Sequence, residues 1–131
     1  MNSTEKGDIE EQRFVLFCVE RQIPISKPIT NSLPYDFIIE FNNKLFRIQV
    51  KKSTLESKNI IIFPAYSTVY TAAGYIKKKY GDKIDYYVTY WDNKFFFVPA
   101  KEVLTLKFRI CIAEKIARKD QNHYSQYILF E

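Results

Sequence analysis

Polar and apolar residues alternate most regularly between residues 35 and 52. Residues 35–41 and 45–52 each have the composition of a strand. Asn42 and Asn43 lie between them and predict a tight hairpin turn, because asparagine tolerates positive φ. The returning strand alternates over residues 46–51, with Phe46, Ile48 and Val50 on one face and Arg47, Gln49 and Lys51 on the other.

Elsewhere the pattern predicts one helix and several shorter strands. The helix covers residues 4–22, with Ser3 or Thr4 as its cap, and Pro24 and Pro28 prevent its continuation. Its predicted apolar face consists of Ile9, Val15, Leu16 and Val19. Extended segments are predicted at residues 23–26, 60–63, 86–90 and 95–98, the last two as a hairpin through Asp92 and Asn93.

Two regions give weaker patterns. Residues 64–85 are long and polar and predict a loop or mobile segment with room for one helical stretch. The tail, residues 102–131, predicts a short helix and a final extended piece. His123 lies in a polar run of this tail, and we expect it to be exposed and to take no part in catalysis.

Composition narrows the class of protein. Twenty Lys and Arg against 15 acids give a net charge of +5, which favours a polyanionic partner but also fits an ordinary basic protein. Only three glycines occur, which excludes a glycine-rich phosphate loop. Cys18 and Cys111 lack zinc-site spacing and predict small core residues. With neither a signal segment nor a membrane span, we expect a single domain, residues 1–131, in a reduced cytoplasm.

The candidate chemistry lies on the first hairpin. Asp36 can lie across from Gln49 and Lys51, which leave the neighbouring strand on one face. Asp36 would ligate Mg²⁺ or Mn²⁺, Gln49 would add an amide oxygen, and Lys51 would position water or stabilise phosphorane charge. Glu11 on the helix is a further candidate ligand, with Glu10 as the alternative.

On spacing alone, a structural interpretation is favoured. Gln49 and Lys51 also fit the solvated face of an amphipathic strand, and Asp36 after Pro34 fits a turn. The run Lys77 to Lys79 fits a solvated charge run in the same way.

A family resemblance favours the catalytic interpretation over the structural one. The runs Lys6-Gly7-Asp8-Ile9-Glu10-Glu11, Tyr35-Asp36 and Arg47-Ile48-Gln49-Val50-Lys51-Lys52-Ser53 resemble PD-(D/E)XK superfamily endonucleases. They are most similar to the branch with a restriction-enzyme fold that cyanobacterial group I introns encode. In that branch glutamine commonly replaces the superfamily's second acid, as Gln49 does here, and a helix-borne glutamate stands at Glu11.

The resemblance implies an α/β fold of the restriction-endonuclease type, with a mixed sheet flanked by helices. It also implies Mg²⁺-dependent double-strand cleavage and a homo-oligomer, a dimer or a tetramer, on a long DNA site. We therefore expect a sequence-specific homing endonuclease. The alternatives are a DNA-binding protein of the same fold that does not cut, and a structure-specific nuclease such as a junction resolvase. The expected DNA-binding residues are Arg47, Lys52, Ser53, Tyr75, Lys77, Lys78, Lys79 and Tyr80.

Overall fold

The computed structural model describes residues 2–115 and 122–130. This part of the chain contains one α-helix, ten strands and three short 3-10 turns. The 3-10 turns are Gly81–Lys83, Ala100–Glu102 and Tyr124–Tyr127. The helix and strands are α1 (Ser3–Glu20), β1 (Ile25–Ser26), β2 (Phe37–Phe41), β3 (Lys44–Val50), β4 (Thr54–Ser57), β5 (Ile60–Pro64), β6 (Tyr66–Thr71), β7 (Gly74–Lys79), β8 (Tyr86–Trp91), β9 (Lys94–Pro99) and β10 (Lys107–Cys111).

The main sheet has the order β1-β2-β3-β8-β9. Strands β3 and β8 run parallel, whereas the other neighbours are antiparallel, so the sheet is mixed and the predicted α/β class is confirmed. Both predicted hairpin turns are present. Asn42 and Asn43 have φ of 53° and 60°, and Asp92 and Asn93 have φ of 51° and 62°.

The two faces of the main sheet are covered by different layers. Helix α1 covers one face through Phe14, Phe17 and Cys18, which pack with Ile48 and Val50 of β3. The other face packs against a second antiparallel sheet of order β10-β5-β4. Because Ile48 and Val50 face the helix, Gln49 and Lys51 leave the sheet on the side away from it.

The predicted N-terminal helix is present, but its cap and its buried face differ from the prediction. The cap is Asn2, whose Oδ1 accepts from the Glu5 N–H at 2.9 Å, rather than Ser3 or Thr4. The predicted apolar face was wrong for three of its four members: Ile9, Leu16 and Val19 are 38%, 59% and 60% exposed. Val15 is half-buried against the core. The buried apolar positions are Phe14, Phe17 and Cys18.

The prediction of a loop over residues 64–85 was also wrong. This segment forms a hairpin of its own, β6–β7, followed by the Gly81–Lys83 turn. Strand β4 was not predicted, since all four of its residues are exposed.

The tail differs from its prediction as well. Its main element is β10, which pairs antiparallel with β5. No strand follows the short Tyr124–Tyr127 turn within the described residues, and part of the tail, 116–121, lies outside them. His123 is buried rather than exposed, and its ring bonds the Ala113 carbonyl and the Ser125 hydroxyl. In the described ranges, no helix is long and apolar enough to cross a bilayer.

Candidate active site

Asp36 is fixed at the open end of the first hairpin. Its backbone N–H donates to the Ile48 carbonyl at 2.8 Å, and its carboxylate Oδ2 accepts from the Val50 N–H at 2.8 Å. The register, with Phe37 opposite Ile48, places Asp36 level with Gln49. Burial raises the pKa of Asp36, and the Val50 N–H and the Lys51 ammonium oppose this rise. The carboxylate is therefore both oriented and partly removed from water.

Lys51 follows β3 and points into the same region. Its backbone N–H donates to the Val88 carbonyl at 2.8 Å, which continues the parallel pairing of β3 with β8. Its Nζ donates to the Tyr66 carbonyl at 3.0 Å and lies 4.9 Å from the centroid of the Tyr80 ring. Burial lowers the pKa of Lys51, and the nearby Asp36 acts in the opposite direction. An amine and a carboxylate thus share a partly desolvated site.

The helix contributes one of its two neighbouring glutamates. Glu11 lines a polar cavity of about 380 Å³ together with Asp36 and Lys27. Burial raises the pKa of Glu11, and the Asp36 carboxylate raises it further. Glu10 lines a different cavity, with Arg13 and Lys52. Of the two glutamates, Glu11 is therefore the one that faces Asp36, and Asp8 of the same helix lines the same cavity.

Gln49 completes the group from β3. It lines a cleft of about 410 Å³ with Asp36, Lys78 and Tyr80. Asp36 belongs to this cleft and to the cavity that holds Glu11, so it stands between the two. The four residues predicted from the sequence, Glu11, Asp36, Gln49 and Lys51, are thus brought into one region.

The oxygen donors of this region fit a hard divalent cation. Two carboxylates, Glu11 and Asp36, both have a pKa raised mainly by burial, although Lys27 lowers both values. In the ranges that the structure describes, no three His, Cys, Asp or Glu side chains gather as a metal site. A third protein oxygen would therefore come from the Gln49 amide, and oxygen ligands of this kind suit Mg²⁺ or Mn²⁺.

Three of the predicted DNA-binding residues lie outside this cleft. Arg47 is held by Asp85, with Nη2 to Oδ1 and Nε to Oδ2 both at 3.1 Å. Ser53 is buried, and its hydroxyl donates to the Tyr90 carbonyl at 3.0 Å. Lys52 is exposed beside Glu10. These contacts within the protein give Arg47 and Ser53 structural roles.

The other predicted DNA-binding residues lie on or beside the β6–β7 hairpin. Lys78 lines the cleft with Ser67, its partner across the hairpin. Lys77 Nζ lies 4.9 Å from the centroid of the Tyr66 ring, and Lys79 Nζ donates to the Leu104 carbonyl at 3.1 Å. All three lysines are exposed, so the hairpin presents a basic edge next to the candidate site.

Sequence reasoning missed three residues of this region. Lys27 lowers the pKa of both Glu11 and Asp36, although its position after a two-residue strand gave no signal. Ser67 lines the cleft from a segment predicted to be a loop. Tyr70 pairs with Tyr75 at the hairpin tip, with ring centroids 5.1 Å apart and both side chains more than 70% exposed. The β-branched and aromatic composition of residues 66–71 is the signal that could have indicated a strand at the last two.

An acid on one strand and a Gln-x-Lys pair on its neighbour, in a mixed sheet backed by a helix, define a nuclease of the PD-(D/E)XK class. The comparison of sequences with family profiles agrees, because the profile described as PD-(D/E)XK endonuclease matches residues 1–129. The chain belongs to this family of nucleases.

The fold has a counterpart among solved structures. A bacterial homing endonuclease, I-Ssp6803I, superposes with a TM-score of 0.76 at 20% sequence identity. The superposition covers 98% of this chain and 89% of the other. This similarity shows that the two proteins share a fold. No curated protein sequence matches the chain.

Proposed function

We propose that this protein is a DNA endonuclease that cuts both strands of a specific site with the help of a divalent cation. The observation that carries the proposal is the convergence of the Asp36 carboxylate, the Gln49 amide and the Lys51 ammonium beside Glu11. PD-(D/E)XK nucleases typically use divalent metals. The family membership and the oxygen donors together support Mg²⁺ or Mn²⁺ here.

Each residue has a defined task in this proposal. Glu11, Asp36 and Gln49 would hold the cation, which when bound supplies Lewis acidity toward the scissile phosphate. The Val50 N–H fixes one oxygen of Asp36, which leaves the other oxygen for the cation. Lys51 holds positive charge where the phosphorane becomes negative, or orients the attacking water.

DNA is the substrate class that the surface favours. The net charge of +5 favours association with a polyanion, and the exposed hairpin lysines lie beside the cleft. We extend the proposal to intron homing because the solved protein of the same fold is a homing endonuclease. A domain of 131 residues covers few base pairs, so a long target requires two or more copies of the chain.

Cleavage of plasmid DNA that carries the intron-less insertion site tests the proposal. We expect linear product with Mg²⁺ or Mn²⁺ and no product with EDTA. Binding to duplex DNA without nicking in either metal would instead identify a non-cutting DNA-binding protein. Preferential cutting of four-way junctions, regardless of sequence, would identify a structure-specific nuclease.

Adjacent lysines provide a matched pair of variants. Lys51→Ala removes the buried ammonium beside Asp36 and should lower the cleavage rate by about a hundredfold or more while largely preserving DNA binding. Lys52→Ala removes an exposed charge outside the cleft and should leave the rate within about threefold of wild type. Equal loss in both variants, or full activity of Lys51→Ala, would contradict the role proposed for Lys51.

A further inference from the structure

The base of the β6–β7 hairpin holds the Lys51 side chain from two sides. The Tyr66 carbonyl, at the start of β6, accepts from Nζ at 3.0 Å. The Tyr80 ring, immediately after β7, lies 4.9 Å from the same nitrogen. Tyr66 and Lys79 are paired across the hairpin and Tyr80 follows Lys79, so both contacts come from the open end of the hairpin.

Tyr80 is itself held in place. Its ring meets the Tyr87 ring edge to face, with centroids 5.8 Å apart, and its hydroxyl interacts with the Ser67 side chain. Tyr87 is buried in the core below the second face of the main sheet. The ring face that meets Lys51 is therefore oriented by the core and is not available to stack on a base.

The Lys51 ammonium keeps hydrogen-bonding capacity beyond its contact with the hairpin. A lysine ammonium has three N–H donors. Within the described residues, Nζ makes a single hydrogen bond, to Tyr66. The ring face attracts the cation without accepting a directed hydrogen bond, and it replaces water on that side. A donor can then point toward the Asp36 carboxylate or a phosphate oxygen.

We propose that Tyr80 is a positioning residue for Lys51, and that the base of the hairpin sets the direction of this ammonium relative to the Asp36 carboxylate. The proposal rests on the nuclease function proposed above, and it adds a link between a DNA-facing element and the reacting group. In this proposal the ring face of Tyr80, and not its hydroxyl, positions Lys51. Tyr80→Phe should therefore keep Lys51 in place, and Tyr80→Leu should release it.

NMR of the metal-free protein tests the geometry without reference to cleavage. The Lys51 ε-methylene resonances, assigned by their loss in Lys51→Ala, should be shifted upfield by the ring in wild type and in Tyr80→Phe. In Tyr80→Leu they should move toward ordinary lysine positions. Ordinary positions in wild type, or no change in Tyr80→Leu, would overturn the proposal even if cleavage itself had never been observed.

Single-turnover cleavage kinetics test whether the position of Lys51 affects the reaction. The single-turnover rate at saturating DNA should fall about tenfold in Tyr80→Leu, with DNA affinity within about twofold of wild type, since only the lysine is displaced. Tyr80→Phe should retain the wild-type rate within about twofold. A wild-type rate in Tyr80→Leu, or an equal loss in the phenylalanine variant, would overturn the proposal.

Tyr124→Leu is the matched control, because Tyr124 is also half-buried and packs edge to face on a core ring, that of Phe96, away from the cleft. It should leave both the Lys51 resonances and the rate unchanged. Circular dichroism establishes folding of each variant. If Tyr80→Leu does not fold, the wild-type resonances decide: an upfield position supports the proposal and an ordinary position overturns it.

Discussion

At the scale of single residues, the structure distinguishes two neighbouring glutamates that the sequence offered equally as metal ligands. Glu10 and Glu11 both lie near the start of the predicted helix, and no pattern could rank them. Successive helix positions point about 100° apart, so only one of them can face the end of β2. That residue is Glu11, which shares its cavity with Asp36.

Glu11 gives a pH-dependent stability prediction. Burial and Asp36 raise its pKa above the ordinary value of 4.5, so the charged carboxylate opposes folding at neutral and alkaline pH. Glu11→Gln should therefore raise the melting temperature in EDTA at about pH 8, and the gain should largely disappear at about pH 4, where both folded and unfolded chains are protonated.

Glu40→Gln, at an exposed position of β2, is the control for this experiment and should change the melting temperature little at either pH. A melting temperature of Glu11→Gln below that of wild type at about pH 8 would show that the carboxylate stabilises the fold. The electrostatic description of the site would then be wrong.

At the scale of elements, the sequence was informative where the pattern was regular. Residues 46–51 alternate without interruption, and two asparagines at positive φ fix the turn, so the β2–β3 hairpin could be predicted. The helix was harder, because residues 14–19 are all apolar and their periodicity cannot identify one buried face. Packing on the main sheet selects Phe14, Phe17 and Cys18.

Two substitutions in α1 test this assignment. Phe14→Ala removes a fully buried ring and should lower the free energy of unfolding by about 3–5 kcal/mol. Leu16→Ala alters a side chain that is 59% exposed and should cost less than about 1 kcal/mol. Urea denaturation measures both values, and a larger loss for Leu16→Ala would restore the face first predicted from the sequence.

The β6–β7 hairpin shows why residues 64–85 could not be predicted. Its strands pair only with each other, and most of β7 is exposed, so β7 lacks the clear alternation of a half-buried strand. The proposed role of the hairpin in DNA binding is testable through charge. Replacing Lys77, Lys78 and Lys79 by alanine should weaken binding and lower the slope of log affinity against log salt by about 2–3.

The control for this experiment removes the same charge elsewhere. Lys44, Lys58 and Lys94 are exposed and do not line the cleft, and their triple alanine variant should nearly retain the wild-type slope. Equal slopes for the two triple variants would mean that the hairpin makes no preferred contact with phosphates.

At the scale of the whole molecule, the family resemblance predicted more than composition could. Charge and aromatic content allowed many basic α/β proteins, whereas the Gln-x-Lys strand and the helix glutamate indicated one nuclease family, which the profile match confirms. The second sheet and its core, centred on Ile61, Phe63 and Ile110, were not foreseen. They depend on pairing between segments far apart in sequence, which a local pattern does not reveal.

The central claim is that Glu11, Asp36 and Gln49 form one cation site beside Lys51. Calorimetric titration of the protein with Mn²⁺ tests it most directly. Asp36→Asn can still accept the Val50 hydrogen bond but loses the charge, whereas Asp92→Asn changes an exposed turn residue whose positive φ asparagine tolerates. We expect Mn²⁺ binding in wild type and in Asp92→Asn, and at least about tenfold weaker binding in Asp36→Asn. Binding of equal strength in Asp36→Asn, or none in wild type, would contradict the claim.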